Sequence, residues 1–98
     1  MSGFAGSPIP IMVVGSEDAE YVSYATTNLY VVKNFSTNCH SFLLYNTHPT
    51  DPLQWSWDNS TLAGELDGYQ SIQVSSKGRS SIYLKSTAGT ATVRVWGW

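Results

Sequence analysis

Charged residues are scarce in this sequence: Lys and Arg number 5, Asp and Glu number 7, and the net charge at pH 7 is −2. The charged share of 12% is about half that of an ordinary globular domain. The cations are scattered between Lys33 and Arg94 and form no basic stripe, so nucleic acid is not an expected partner. Low surface charge suits a protein whose outer faces are partly covered by neighbours, although a small β protein rich in Ser and Thr has the same composition.

Long apolar runs and cysteines are also lacking. No segment approaches the roughly 20 apolar residues that span a bilayer, and the first residues lack the charged-then-apolar layout of a secretory signal, so neither a membrane nor secretion is expected. Cys39 is the single cysteine, which excludes an internal disulfide and predicts a small, partly buried hydrophobe.

Helical periodicity is missing as well, because no window repeats apolar positions every three to four residues. Short runs rich in Val, Ile, Thr, Tyr and Trp instead alternate with Gly, Asn, Asp and Ser clusters. The pattern predicts strands at Tyr21–Thr26, Leu29–Asn34, Ser41–Asn46, Gln54–Trp57, Ser71–Ser75, Ser81–Lys85 and Thr90–Trp96. With 98 residues the chain is expected to be all-β, a single small antiparallel β-sandwich of jelly-roll-like form.

The first segment, "MSGFAGSPIPIMVVG", differs from the rest of the chain. Pro8 and Pro10 lack an amide hydrogen and fix an extended backbone, which excludes both a helix and a central strand. Residues 1–15 are therefore expected to form an extended arm, with the sandwich at 16–98. The arm lies along its own sheet edge or along a neighbour's, where Ile9, Ile11 and Val13 would make the contacts.

The last two predicted strands, "SSIYLKS" and "TATVRVWGW", are separated by "TAG". Gly89 can adopt the positive φ of a short loop, which predicts a hairpin. Alternation places Ile82 with Leu84 and Val93 with Val95 on a core face. The opposite face then carries an aromatic and arginine patch, predicted as an interface and composed of Tyr83, Arg94, Trp96 and Trp98.

A second tryptophan pair lies in "LQWSWDNS". Trp55 and Trp57 share one side of a strand, which is typical of a platform for sugar rings. The competing interpretation is that they continue the core row of Leu53, and it is the favoured one.

No catalytic or metal-binding motif emerges. His40, His48 and Asp51 supply the side chains of a triad without any surrounding motif. Cys39 and His40 are strand neighbours and point to opposite faces. Two histidines without a cysteine pair argue against zinc, and "DNSTLAGELDG" only loosely resembles a calcium loop. The protein is therefore expected not to be an enzyme and to need no cofactor.

From about Leu29 onward the features run in a familiar order: "LYVVKN", "FLLYN", "LQWSWDNS" and "GYQSIQVSSKGRSSIYLKSTAGTATVRVWGW". This order resembles small β-sandwich virion proteins of tailed bacteriophages, which commonly end in a strand, a Ser/Ala/Gly turn and a "TATVRV"-like strand. The proline-containing arm and the Trp-Gly-Trp ending depart from that pattern.

The resemblance implies a non-enzymatic structural protein of the virion, namely a capsid decoration (cement) subunit assembled in the host cytoplasm. Its expected partners are copies of itself, with a trimer inferred by analogy, and the major capsid protein or another virion protein. The alternative is a carbohydrate-binding module, for example on a tail fibre, that uses Trp55 and Trp57. The resemblance carries over no functional residues.

Overall fold

The computed structural model describes residues 19–98, and the arm predicted at 1–15, with Ile9, Ile11 and Val13, lies outside this range. The described residues contain no helix, and hence none that could span a membrane. They form six strands: β1 (Glu20–Ala25), β2 (Val31–Asn46), β3 (Leu53–Ser56), β4 (Leu62–Leu66), β5 (Ser71–Ser86) and β6 (Thr92–Gly97). The predicted all-β fold is confirmed.

All six strands join one antiparallel sheet in the order β1-β6-β2-β5-β3-β4. Strands β2 and β5 are each 16 residues long, and either would measure roughly 50 Å if straight. The longest dimension of the molecule is 33 Å, so both strands must bend. The β2–β5 pairing is irregular between Asn34 and Ser41, and irregular pairing of this kind allows strands to bend.

The bend folds the sheet into two layers. Layer I contains β1, β6, residues 41–46 of β2 and residues 71–75 of β5. Layer II contains β3, β4, residues 31–34 of β2 and residues 81–86 of β5. One buried cluster takes side chains from both layers, so the layers pack face to face: Phe35, Cys39, Phe42, Leu44, Leu53, Trp55, Leu66, Ile82, Leu84, Val93 and Val95.

Side-chain contacts also join β1 of layer I to residues 33–36 of β2. The Glu20 carboxylate of β1 accepts hydrogen bonds from the amide and the hydroxyl of Ser36, at 2.9 and 2.7 Å. The Lys33 ammonium lies 4.2 Å from the centroid of the Tyr24 ring, within the range of a cation–π contact. These contacts fasten the edge strand β1 to the bent part of β2.

The hairpin predicted between the last two strands is not present. Gly89 does have a positive φ, of 75°, but β5 pairs with β2 and β3, whereas β6 pairs with β1 and β2. The loop therefore crosses from layer II to layer I. Alternating apolar residues cannot distinguish two paired strands from two strands that face each other across a core, because both arrangements bury the same positions.

Candidate interaction surface

Strand β6 alternates as predicted through its whole length. Val93 and Val95 are fully buried, whereas Arg94 is exposed and Trp96 and Trp98 are half-buried. A Cβ atom at Gly97 would point inward, 2.9 Å from the Cys39 Sγ atom. No bulge interrupts the strand, so Trp96 lies on the outer face of layer I.

Trp96 is the centre of a row that crosses three strands. Tyr21 of β1 and Leu43 of β2 are its register partners, one on each side. The Tyr21 and Trp96 ring centroids are 4.9 Å apart, which is typical of aromatic pairs. Leu43 is 1% exposed but does not belong to the core cluster. We call the surface built around this row the aromatic face; it comprises Tyr21, Tyr45, Arg94, Trp96 and Trp98, with Leu43 buried within the same row.

Backbone hydrogen bonds hold β6 and the residue after it, Trp98, against β2. The Trp98 amide donates to the Ser41 carbonyl at 3.0 Å. The Trp98 carbonyl accepts from the amides of His40 and Ser41, at 2.7 and 3.0 Å. Because the backbone is already ordered, a partner that binds this face would not have to order the strand, and less binding free energy would be lost to conformational entropy.

Tyr83, predicted in the same patch, is not part of it. Ile82 and Leu84 on either side of it are fully buried, so Tyr83 points away from the core on the outer side of layer II, where Val32 and Ser56 are its register partners. The other three predicted residues, Arg94, Trp96 and Trp98, share the outer side of layer I. The error follows from the hairpin prediction, which wrongly placed both strands in one layer.

The structure also corrects the hypothesis of a sugar platform made of two tryptophans. Trp55 is 5% exposed and belongs to the core, with its indole against Gly64. Trp57 follows the end of β3, is half-buried, and packs against Phe42 at a centroid distance of 5.8 Å. The two indoles therefore do not form a shared exposed surface.

A polar cluster joins the loop before β3 to the loop before β6. Asp51 is 4% exposed; one carboxylate oxygen accepts from the Ala88 amide at 2.8 Å, and the other accepts from the amide and hydroxyl of Thr90, both at 2.8 Å. Burial alone would raise the pKa of Asp51, but these hydrogen bonds hold it well below its usual value. We call this arrangement the Asp51 clamp.

His48 lies beside the Asp51 clamp but is not arranged as a catalytic base. Its Nδ1 atom accepts from the amides of Thr50 and Asp51, at 3.1 and 2.8 Å. Both groups thus fix a loop, and neither is directed at an open site. Nor do the His, Cys, Asp and Glu side chains of residues 19–98 come together in any group of three that could hold a metal.

Comparison with known proteins identifies the fold but no family. No family model and no curated protein matches the chain. Among solved structures it is similar to HppE with cobalt(II) and Tris buffer, at 15% identity and a TM-score of 0.51, over 82% of this chain and 44% of that one. It is similar to HppE with iron(II) and substrate at 15% identity and a TM-score of 0.50, over 82% of this chain and 45% of that one. It is also similar to HppE with iron(II) at 14% identity and a TM-score of 0.51, over 82% of this chain and 42% of that one.

The chain thus spans less than half the length of these HppE structures. At such low identity the likeness concerns the all-β architecture alone, because one fold hosts many unrelated functions. It does not make this protein an enzyme.

Tyr21 and Tyr45 are the members of the aromatic face that sequence analysis missed, together with the buried Leu43. Alternation in "EYVSYA" places Tyr21 opposite Val22 and Tyr24, which pack on the core. That signal indicates an outward Tyr21 but not its partner, since β1 and β6 lie at opposite ends of the described chain.

Proposed function

We propose that this protein is a non-enzymatic structural protein of a phage virion, a capsid decoration subunit that binds the particle and its own neighbours. The observation that supports the proposal most strongly is the aromatic face, with its ordered backbone and outward tryptophans. The sequence resemblance supplies the viral setting. In this proposal the protein acts in the virion, after assembly in the host cytoplasm, and needs no cofactor.

The composition of the aromatic face suits a protein partner. Tyr, Trp and Arg are enriched at binding hot spots, where they bury large areas and retain a polar group for hydrogen bonding. Each tryptophan can remove roughly 150–250 Å² from water. Arg94 is the cation within the face and pairs in register with Tyr45, so contact with the partner would be mainly apolar.

Two partners follow from the proposal. The aromatic face would bind the major capsid protein or another virion protein, and the arm residues Ile9, Ile11 and Val13 would contact a neighbouring subunit. A closed ring satisfies such contacts between identical copies, and we propose a trimer.

The aromatic face is tested by the double substitution Trp96→Ala and Trp98→Ala. We expect the subunit to stay folded while its affinity for particles assembled without it falls more than tenfold, since a hot-spot side chain contributes roughly 2 kcal/mol or more. Tyr83→Ala is the matched control, because it removes an aromatic side chain from the outer side of layer II. The measurements are circular dichroism and co-sedimentation with particles.

Normal particle binding by the folded double variant would contradict the role of the aromatic face. Loss of binding in Tyr83→Ala alone would place the interface on layer II instead. Sedimentation equilibrium of the wild type tests self-association separately, and a monomer at high micromolar concentration would contradict the trimer.

Deletion of residues 1–15 tests the arm. We expect the β-sheet circular dichroism signal to persist and self-association to weaken, because an extended segment outside a core can be removed without leaving a cavity. A deletion variant that no longer folds would instead show that the arm is part of its own subunit's sandwich.

A further inference from the structure

A basic pocket lies beside the bend of β5, apart from the aromatic face. It is a depression open to solvent, with a volume of about 400 Å³, within the usual size of sites for small molecules. Its lining combines one aromatic residue, two cations and two hydroxyl groups: Trp57, Lys77, Arg79, Ser75 and Ser76.

The charge of the pocket contrasts with that of the chain. The protein has a net charge of −2 and only 5 Lys and Arg residues, yet Lys77 and Arg79 both line this pocket, and within residues 19–98 no acidic side chain lines it. The Arg79 Nη1 atom donates to the Trp57 carbonyl at 3.4 Å, not to a carboxylate. Two cations lining one concave site favour an anionic ligand.

Arg79 is held against an aromatic surface. Its guanidinium carbon lies 5.2 Å from the centroid of the Trp57 indole, which is a cation–π contact. The indole is itself supported by Phe42 from the core. A planar guanidinium positioned in this way can bind a carboxylate through two parallel hydrogen bonds, and the apolar indole lies directly beside it.

The bent part of β5 that carries Lys77 is also fixed. The Ser76 hydroxyl donates to the Cys39 carbonyl on β2 and accepts from the Gly78 amide, at 3.3 Å. Gly78 has a φ of 97°, which side-chain-bearing residues rarely adopt. The backbone of this part of the pocket is thus fixed before a ligand arrives, which reduces the entropy lost on binding.

We propose that this pocket binds an acidic saccharide. The carboxylate of a uronic acid residue binds between Arg79 and Lys77, an apolar face of its ring contacts the Trp57 indole, and the Ser75 hydroxyl meets a sugar hydroxyl. The site does not depend on the proposed role in particle binding, because none of its lining residues belongs to the aromatic face.

The experiment is a titration of the full chain followed by ¹H–¹⁵N NMR, with D-glucuronate, D-glucose and sulfate as probes. We expect saturable shifts at the Trp57 indole N–H with glucuronate, and at least tenfold weaker binding of both glucose and sulfate. Added NaCl should weaken glucuronate binding, because salt screens exposed charges.

Substitutions identify the groups responsible. Arg79→Gln should weaken glucuronate binding at least tenfold, which is about 1.4 kcal/mol, while Arg79→Lys should be intermediate because it keeps the charge and loses the planar fork. Lys85→Gln is the matched control: it removes one positive charge from layer II, outside both the pocket and the aromatic face, and should change the Kd less than twofold.

Four results would overturn the proposal. Absence of saturable glucuronate shifts would exclude the site. Equal binding of sulfate would reduce it to a simple anion site, and equal binding of glucose would exclude recognition through charge. An equal loss in Arg79→Gln and Lys85→Gln would show that net charge, not the pocket, attracts the sugar acid.

Discussion

Two tryptophan pairs with the same spacing occupy different environments in this molecule. "WSW" contributes Trp55 to the core, whereas "WGW" presents Trp96 and Trp98 on the outer side of layer I. The difference lies in the residues around them. Leu53 shares the side of Trp55 and is fully buried, while Val93 and Val95 occupy the core side of β6 and leave the tryptophans the other side.

The comparison shows what alternation can and cannot establish. It identifies which residues share a side of a strand, and the more apolar set then takes the interior. Alternation gives no information beyond the end of the strand. Strand β3 ends at Ser56, and Asp58 then accepts hydrogen bonds from the amides of Ser60 and Thr61, at 3.0 and 2.7 Å, in a turn. Trp57, which follows the end of the strand, still packs against Phe42 of the core, and it also lines the basic pocket.

The largest effect on subunit stability should come from Trp55→Ala. Removal of a buried aromatic side chain typically costs about 3–5 kcal/mol, which is comparable to the whole stability of a small domain. Trp96→Ala should cost about 1 kcal/mol, because the side chain is only half-buried and the loss scales with the apolar area that is buried. Urea unfolding of the monomeric subunit measures both. Equal losses would mean that the two pairs are not distinguished by burial.

The next effect concerns the Asp51 clamp, which connects the loop before Trp55 to the loop before Trp96. Asp51→Asn replaces one acceptor oxygen by an amide that faces the donors of Thr90 or Ala88. Hydrogen bonds to a charged group contribute roughly 1.5–3 kcal/mol, so we expect a loss of about 2 kcal/mol at pH 7. Asp67→Asn is the control, because Asp67 is exposed and its carboxylate makes no recorded hydrogen bond among the described residues.

The same clamp predicts a pH dependence. The pKa of Asp51 is lowered in the folded state, so its contribution is fully present above the unfolded pKa of about 3.9. That contribution is lost as the pH falls from there toward the folded pKa. The stability difference between wild type and Asp51→Asn should therefore be largest near pH 7 and shrink below about pH 4. A difference that stays constant down to pH 2 would show that the charge of Asp51 is not what stabilises the clamp.

The smallest effect should come from Gly97→Ala. A Cβ atom at Gly97 would lie 2.9 Å from the Cys39 Sγ atom and 3.1 Å from the Phe35 ring, so the core must shift slightly. We expect a loss of about 1 kcal/mol, because the crowding is partly offset by the better strand propensity of alanine over glycine. The double variant Gly97→Ala with Cys39→Ala should lose less than the sum of the two single variants. Strict additivity would show that Gly97 does not face Cys39.

Most of the strands could be predicted from the sequence, because the alternation of apolar and polar residues is a local property. The same prediction had two failures. It divided β2 and β5 into two strands each, since Ser, Asn, Lys and Gly at the bends are also turn residues. It missed β4, because "LAGEL" has little intrinsic strand preference. Gly64 is required there because the Trp55 indole occupies the space of a side chain, and only the folded structure reveals this contact.

The candidate surfaces were harder to predict, because they depend on which strands become neighbours. The outward direction of Trp96 and Trp98 follows from alternation alone. The exclusion of Tyr83 and the inclusion of Tyr21 depend on pairing between strands distant in sequence. The basic pocket combines Trp57, which follows β3, with Arg79 at the bend of β5. No local pattern in the sequence connects these two residues.

The position of β6 between β1 and β2 has a consequence for the order of folding during synthesis. Among the described strands β1 pairs only with β6, so β1 has no partner while the ribosome makes β2 to β5. Unpaired strand edges are sites of aggregation in folding intermediates. The nascent chain therefore carries two exposed edges, on β1 and on β2, until β6 emerges and fills the gap between them.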